Sequence, residues 1–269
     1  MTSDATAPVP SSAPSGAAAP LTAVVTGASS GIGRATAARL VADGWRVLAV
    51  ARREGRLAEL AAETGCEVLS VDVTSDASVD ALVARARELF GESLNAVVHV
   101  AGGALGVEPA AEADLEKWQG MYDINVLGAV RVTRALLPAL RASGRGDLLF
   151  VTSVAGHEAY PGGSGYNAAK AGEHMLANAL RLELNGEKVR VIEIAPGMVH
   201  TEEFSLVRLG DQDKADAVYD GVENPLTAED CADVISYALN APHHVNLDLV
   251  MVRPLAQAAA HRVARHQGV

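Results

Sequence analysis

Strand-like and helix-like patterns alternate along the chain from Leu21 onward, and this alternation constrains the fold more than any other feature. Short apolar, β-branched runs predict strands at Leu21–Thr26, Arg46–Ala51, Glu67–Val71, Asn95–Val100, Asp147–Thr152, Lys188–Ile194 and Leu247–Val252. Amphipathic periodicity predicts helices between them, at Ile32–Ala42, Arg53–Glu63, Ser75–Phe90, Leu115–Leu140, Gly165–Leu184 and Thr227–Leu239. Regular alternation of this kind predicts a single α/β domain over residues 21–254, built on a doubly wound parallel sheet of about seven strands.

Three segments lie outside the alternating pattern. Residues 1–20 are rich in Ala, Pro and Ser and hold almost no large apolar side chain, so we expect a disordered tail. Residues 201–224 are polar and long for a connection, and we expect a mobile substrate lid there. Residues 255–269 form an Ala-rich C-terminal tail, expected to be exposed or to pack on a neighbouring subunit.

Charge and cysteine content narrow the classes of partner and compartment. The net charge of -11 argues against nucleic acid and anionic membrane surfaces as partners. Two cysteines are too few for a disulfide framework and fit a reducing compartment. Without a long apolar run or a secretory signal pattern, the expected location is the cytoplasm.

A glycine-rich turn, Thr26-Gly-Ala-Ser-Ser-Gly-Ile-Gly33, joins the first predicted strand to the first helix. Gly27 allows a sharp turn, Gly31 allows close approach of a pyrophosphate, and Gly33 allows the helix to pack closely on the strand. The helix N-terminus would present free N–H groups to the phosphates, so we expect Ser29, Ser30 and Ile32 to contact a cofactor as well. A purely structural turn is the alternative.

The end of the second strand bears on which dinucleotide would bind. An NAD-selective site places a carboxylate there for the ribose 2′-hydroxyl, whereas a 2′-phosphate needs a cation. This strand ends in Arg52 and Arg53 with no carboxylate at its tip, which predicts NADP(H). An ordinary solvated arginine pair at a helix start is the alternative.

Tyr166 and Lys170 are spaced i, i+4 on one predicted helix, so their side chains share a face. An ammonium close to a phenol favours the phenolate and lowers the pKa of the phenol, which suits it to proton transfer. The spacing alone also arises by chance, and it gains weight only from other motifs.

Taken together, the motifs resemble the short-chain dehydrogenase/reductase family over residues 21–253. The resemblance rests on the glycine turn and, in chain order, on Asp72-Val73, Ala101-Gly102, Asn125, Ser153, Tyr166, Lys170, Pro196-Gly197 and Thr201. It implies a Rossmann-type fold and an oxidoreductase that interconverts a secondary alcohol and a carbonyl compound with NADP(H). It also implies a homotetramer.

The resemblance implies a role for each matched residue. Tyr166 would donate or accept the substrate proton, Lys170 would bind the nicotinamide ribose, and Ser153 would hydrogen-bond the reacting oxygen. Asn125 would hold a water that links Lys170 to solvent. The remaining matches would contact the cofactor: Asp72 and Val73 near adenine, Ala101, Gly102, Pro196 and Gly197 along the cleft, and Thr201 at the carboxamide.

The C-terminal third resembles NADP-dependent 3-hydroxy acid (serine-type) dehydrogenases, which suggests a small 3-hydroxy acid as substrate. Arg208 would then meet the substrate carboxylate, although a solvated arginine fits the sequence equally well. An extra glutamate between Thr201 and Phe204 departs from that pattern. A reductase for a bulkier ketone and a non-catalytic dinucleotide sensor are the alternative functions.

Two further features concern histidines. His99 stands where the family usually has asparagine, and we interpret it as a core residue. No metal site is predicted, because neither His243-His244 nor the pair His261 and His266 has acidic or cysteine ligands at a suitable spacing.

Overall fold

The computed structural model describes residues 19–266. The predicted N-terminal tail therefore lies almost wholly outside the described residues, as do the last three residues of the C-terminal tail. Over the rest of the chain the predicted α/β architecture is confirmed.

Seven parallel strands form one sheet in the order β3-β2-β1-β4-β5-β6-β7. The strands are β1 (Thr22–Thr26), β2 (Arg46–Ala51), β3 (Glu67–Ser70), β4 (Ala96–His99), β5 (Gly146–Val151), β6 (Val189–Pro196) and β7 (Val250–Val252). The central strands are buried on both faces, which explains their continuous apolar runs of Val, Ala, Leu and Ile.

Nine helices accompany the sheet within the described part of the chain. They are α1 (Gly31–Ala42), α2 (Glu54–Thr64), α3 (Asp76–Phe90), α4 (Leu115–Tyr122), α5 (Gly128–Ala142), α6 (Ser164–Glu183), α7 (Phe204–Leu209), α8 (Gln212–Ala217) and α9 (Ala228–Asn240). Side chains cap two of the helices at their N-termini: the Ser75 side chain accepts from the Ser78 N–H, and Thr227 with Asp230 forms a capping box.

The long helix predicted over Leu115–Leu140 is interrupted in the structure. A π-helical segment, Asp123–Leu127, separates α4 from α5. The π-helical segment is only about one turn long and has helical residues on both sides, so the sequence pattern predicts one continuous helix. The interruption surrounds Asn125.

Helices cover both faces of the sheet with aliphatic side chains. On one face Leu40, Leu57 and Ile235 bring α1, α2 and α9 against the strands. On the other face, α3, α5 and α6 pack through Leu82, Leu136 and Leu180. Small residues dominate the strands between them, so the helices lie close to the sheet.

The strand order reverses between β1 and β4, and this switch point opens a crevice at the carboxyl ends of the strands. The described helices include none that is long and apolar enough to cross a membrane.

The described part of the C-terminal tail packs on its own chain. It forms a two-stranded antiparallel ribbon, β8 (Gln257–Ala259) with β9 (Arg262–Val263). Gln257 Oε1 accepts from the Met198 N–H at 2.8 Å, just after β6. Arg265 donates to the carbonyl of Val218 at 2.9 Å, at the end of the predicted lid segment.

Candidate active site

An open cleft of ≈ 630 Å³ lies at the carboxyl edge of the sheet. Its walls include every site residue predicted from the sequence except Asn125 and Lys170, which are fully buried behind it. Further lining residues come from the segment after Thr201 and from the C-terminal tail: Glu203, Phe204, Ser205, Val207, Leu209, Gln257 and Ala260. The structure thus brings the separate sequence motifs to one place.

The glycine turn is shaped by close backbone contacts. Gly27 has a φ of 67°, and a Cβ there would lie 2.8 Å from the Ala101 nitrogen. A Cβ on Gly33 would collide with the Gly27 carbonyl group, 2.7 Å from its carbon. Thr26 Oγ1 accepts from the N–H groups of Val100 and Ala101, both at 3.0 Å, and so ties the turn to the end of β4.

Helix α1 begins at this turn, with Ser30 as its N-cap residue and no side-chain hydrogen bond to its first N–H groups. The N-terminus of α1 therefore presents donors and a partial positive charge to the cleft. Thr201 lies opposite, with its Cγ2 atom 3.3 Å from where a Gly31 Cβ would be.

The two arginines after β2 differ in their surroundings. Arg53 donates to Ser29 Oγ at 2.8 Å, to Ser30 Oγ at 2.9 Å and to Glu203 Oε1 at 2.6 Å. Arg52 is exposed on the cleft wall and pairs with no carboxylate among residues 19–266. Hydrogen bonds from Arg53 chiefly lower the pKa of Glu203, so this carboxylate is held in its ionised form.

Asp72 and Val73 follow β3 at the far end of the cleft. Asp72 accepts hydrogen bonds from the backbone N–H and the hydroxyl of Thr74, at 2.9 and 2.8 Å. These bonds lower the pKa of Asp72 and fix its position. Pro196 ends β6, Gly197 follows it, and both line the cleft.

Tyr166 lies on α6 with its ring packed among apolar side chains and only 8% exposed. Burial raises the pKa of Tyr166, while the Lys170 charge and a hydrogen bond with Ser153 oppose the rise. The lowering by Lys170 expected from the sequence is therefore present, but desolvation of the phenolate outweighs it. Ser153 follows β5 and accepts from the Ala155 N–H at 3.1 Å, which orients its hydroxyl.

Lys170 is buried one turn further along α6, and its partner there is a residue that the sequence analysis did not single out. Its Nζ donates to Glu173 Oε2 at 2.6 Å and to the Val151 carbonyl at 3.1 Å. Burial raises the pKa of Glu173 to about 7 despite the neighbouring ammonium. Glu173 is 1% exposed, so the pair is sealed from solvent.

Asn125 is held inside the π-helical segment. Its side-chain amide donates to the carbonyls of Met121 at 2.7 Å and Gly103 at 3.0 Å, and its Oδ1 accepts from the Gly103 N–H at 3.2 Å. A Cβ on Gly102 would collide with Asn125 Oδ1 and lie 3.4 Å from Lys170 Nζ. Gly102 thus keeps the space between these two side chains open.

Arg208 on α7 binds two loops that border the cleft. It donates to the Gly106 carbonyl at 3.2 Å, the Tyr160 hydroxyl at 2.9 Å and the Gly162 carbonyl at 3.0 Å. Its guanidinium carbon lies 5.9 Å from the Tyr166 ring centre. Arg208 is therefore a half-buried, oriented side chain at the mouth of the site, not a freely solvated one.

The interpretation of His99 as a core residue is confirmed. The ring stacks on Phe150 with centroids 4.6 Å apart, and Nε2 lies 3.0 Å from Thr133 Oγ1. Burial lowers the pKa of His99 to about 3, so the imidazole is neutral.

The sequence did not predict a cluster of two histidines and one glutamate that lies beside the site. His157, His174 and the buried Glu193 bring donor atoms within 4.8 Å of one another, the kind of group that can hold a metal ion. In the structure these groups are linked by hydrogen bonds: Glu193 accepts from Thr152 Oγ1 at 2.7 Å and lies 3.0 Å from His157 Nε2 and 2.8 Å from His174 Nδ1. The three residues come from separate elements of the fold, so no local spacing in the sequence predicts that they lie together.

Comparison with known proteins agrees with this geometry. The short chain dehydrogenase profile matches residues 21–210. An uncharacterized oxidoreductase of Mycobacterium tuberculosis is 54% identical, over 91% of this chain and 95% of its own length. Serine 3-dehydrogenase of Agrobacterium fabrum is 39% identical, over 89% and 96% respectively.

A solved structure, the closed form of serine dehydrogenase complexed with NADP+, superposes with a TM-score of 0.86 at 35% identity, covering 92% of this chain and all (100%) of that one. The match of fold, motif order and sequence leaves one assignment: this chain belongs to the short-chain dehydrogenase family.

Proposed function

We propose that this chain is an NADP(H)-dependent oxidoreductase that interconverts a secondary alcohol and a carbonyl compound, acting on a small 3-hydroxy acid or a related substrate. The observation that carries the proposal is the convergence of Tyr166 and Ser153 on one cleft with the glycine turn and two arginines. Its similarity to serine dehydrogenases, one of them solved with NADP+, supports the cofactor and the class of substrate.

The residues of the cleft fit a dinucleotide. The backbone around Gly27, Gly31 and Gly33, with the N-terminus of α1, would hold the pyrophosphate, because side chains at these glycines would fill the space or shift the turn. Arg52 and Arg53, with Ser29 and Ser30, would hold the 2′-phosphate. The other contacts would be made by Ile32, Asp72, Val73, Ala101, Gly102, Pro196, Gly197 and Thr201.

In the proposed mechanism, the side chains of this chain transfer a proton to or from the reacting oxygen of the substrate. The bound nicotinamide supplies or accepts the hydride. Tyr166 would give its phenolic proton to the carbonyl oxygen in reduction and take it from the alcohol in oxidation, while Ser153 hydrogen-bonds the same oxygen. Lys170 would favour the phenolate by its charge and hold the nicotinamide ribose, and Asn125 would hold a water that connects Lys170 to solvent.

The position of Arg208 supports the proposal that the substrate carries a carboxylate. Its guanidinium lies beside Tyr166 and lines the cleft, and three protein acceptors fix its plane. A guanidinium has five N–H donors, so donors remain for a substrate carboxylate. We propose that Arg208 places the carboxylate of a 3-hydroxy acid so that its carbinol reaches Tyr166.

The Arg208→Ala variant tests this role and the substrate class together. We expect its KM for a small β-keto acid or the matching 3-hydroxy acid to rise by about 10- to 100-fold, because a hydrogen-bonded charge pair is lost. The KM for an uncharged ketone of similar size should stay within about twofold, which controls for damage to the lid. Equal changes for acidic and neutral substrates would contradict the assignment.

A Gly33→Ala variant tests the proposed pyrophosphate site. The added Cβ collides with the Gly27 carbonyl, which is backbone and cannot move aside cheaply. We expect a loss of about 1–3 kcal/mol in unfolding free energy and at least about tenfold weaker NADP+ binding. Gly55→Ala, where a Cβ meets open space in α2, is the matched control. It should leave NADP+ binding unchanged and raise the unfolding free energy by about 0.4–1 kcal/mol, as a compatible Gly→Ala change in a helix does. Unchanged NADP+ binding by Gly33→Ala would contradict the site.

Assembly and location are part of the proposal. Large apolar side chains lie exposed on α4 and α6, among them Leu115 at 73%, Met175 at 62% and Leu182 at 81% exposure. Such a surface supports an interface between copies of this chain, and we propose a homotetramer. Both cysteines are buried free thiols, which supports a cytoplasmic location. Light scattering of the purified protein tests the tetramer directly.

A further inference from the structure

Glu203 lies at the point where the proposed 2′-phosphate site meets the segment that carries Arg208. Its Oε1 accepts from Arg53 at 2.6 Å and lies 3.9 Å from a nitrogen of Arg56. The side chain is 24% exposed and lines the same cleft as Ser29 and Ser30.

The groups around this carboxylate form an anion-binding cradle. Arg53 also donates to the hydroxyls of Ser29 and Ser30, at 2.8 and 2.9 Å, so one guanidinium connects the glycine turn to Glu203. A guanidinium with neighbouring hydroxyls at the start of a helix is the donor set that a phosphate ester would use. In this chain an internal carboxylate already accepts from it.

A carboxylate and a phosphate cannot share this cradle at low cost. A phosphate monoester carries about -1.5 to -2 charges near neutral pH, and its repulsion by an adjacent carboxylate is strong in a partly buried site. The 2′-hydroxyl of NAD(H) carries no charge, so the carboxylate does not repel it. Glu203 therefore affects the two cofactors differently.

Glu203 also marks the start of α7. The next residue, Phe204, packs edge-on against Tyr166 with ring centres 5.6 Å apart, and Arg208 lies one turn further on. The bond from Arg53 to Glu203 thus fastens the beginning of the helix that covers the reacting tyrosine.

We propose that Glu203 is a specificity-determining residue, an internal competitor that the 2′-phosphate of NADP(H) displaces from Arg53, and that this displacement frees the start of α7. The inference rests on the proposed function for its cofactor. Glu203 lowers the affinity for NADP(H) relative to NAD(H) and links cofactor binding to the helix that carries Phe204 and Arg208.

Calorimetric titration of NADP+, NAD+, 2′,5′-ADP and ADP into the full chain tests the competition. We expect Glu203→Gln to bind NADP+ and 2′,5′-ADP about tenfold more tightly, with NAD+ and ADP affinities within about twofold of the unsubstituted protein. Glu202→Gln removes the same charge from the exposed neighbouring residue and is the matched control; it should leave all four affinities within about twofold. An unchanged or lowered ratio of NADP+ to NAD+ affinity in Glu203→Gln would overturn the inference.

The unsubstituted protein separates this inference from the proposed function. If it binds NADP+ no better than NAD+, the proposed cofactor preference fails; the inference stands or falls on how Glu203→Gln changes that ratio.

Hydrogen exchange over residues 204–209 tests the link to α7. The fragment 2′,5′-ADP carries the phosphate but lacks the nicotinamide half that would approach Tyr166. It should speed exchange there severalfold in the unsubstituted protein and not in Glu203→Gln, while ADP should change neither. If 2′,5′-ADP leaves the exchange rate of residues 204–209 unchanged in the unsubstituted protein, the proposed link between cofactor binding and α7 is overturned.

Discussion

The Tyr166→Phe variant is expected to lose about 10²- to 10⁴-fold in kcat for both carbonyl reduction and alcohol oxidation. The loss follows from removal of the Tyr166 hydroxyl, which lies beside Ser153 and close to the Lys170 charge. The phenyl ring keeps its packing against Phe204 and in the small apolar cluster with Ala104 and Met121. Steady-state kinetics with NADPH and a carbonyl substrate measure the effect.

As a control, the Tyr166→Phe variant should remain folded and should still bind NADP+. Its melting temperature should stay within a few degrees, and its NADP+ affinity within about twofold, because only one oxygen is removed from a preserved ring. A Tyr166→Phe protein that reduces carbonyl compounds at the original rate would show that another group moves the proton.

The Glu173→Gln variant is expected to shift the pH profile of alcohol oxidation toward lower pH. In the proposed mechanism, oxidation needs the Tyr166 phenolate, and the Glu173 carboxylate raises the pKa of Tyr166 by countering the Lys170 charge. With a neutral amide in its place, the full charge of Lys170 acts on Tyr166, so oxidation above pH 7 should become about three- to tenfold faster. Rates of alcohol oxidation between pH 6 and about 10 measure the shift.

The same variant should alter how stability depends on pH. Burial raises the pKa of Glu173 from 4.5 to about 7, so the folded chain keeps a proton that the unfolded chain releases. This contribution to the unfolding free energy is full below pH about 4.5 and is lost as the pH rises through about 7. The stability of the unsubstituted protein relative to Glu173→Gln should therefore fall across that interval, by on the order of 1.4 kcal/mol per unit.

A second buried ion pair provides the control for the shift in the pH profile of oxidation. Asp147 and Arg190 form a bidentate pair near the opposite end of β5, with nitrogen–oxygen distances of 2.6 and 3.0 Å. Asp147→Asn should cost about 3–5 kcal/mol of stability, since it leaves a buried guanidinium short of its counter-charge. It should leave the pH profile of oxidation in place. Matching shifts in both variants would mean that Glu173 acts on the fold and not on Tyr166.

Features that depend on local pattern could be predicted from the sequence. Residue types at short spacing predict the strands, the glycine turn and every predicted helix except Leu115–Leu140, and the structure confirms these. The caps at Ser75 and Thr227 also follow from such local patterns. The meeting of Tyr166, Ser153 and the glycine turn was implied by the family resemblance, and its physical basis is that parallel strands bring their carboxyl ends to one edge of the sheet.

Features that depend on long-range packing could not be predicted. Nothing near Asn125 distinguishes a π turn from a continuous helix, and the partner of Glu203 lies 150 residues away at Arg53. Glu173 did leave a signal, because it is an acidic residue on the buried face of α6, three positions after Lys170. A charge on that face calls for a buried partner.

Transfer of deuterium from NADPH that carries deuterium in both hydrogen positions of the reactive nicotinamide carbon tests the central claim most directly. With a small β-keto acid, the unsubstituted protein should place one deuterium on the carbinol carbon of the product, and Tyr166→Phe should do so about 10²- to 10⁴-fold more slowly. Deuterium transfer from NADH that carries the same label should be slower than transfer from NADPH. A product without deuterium, or equal rates for the two proteins, would contradict the account.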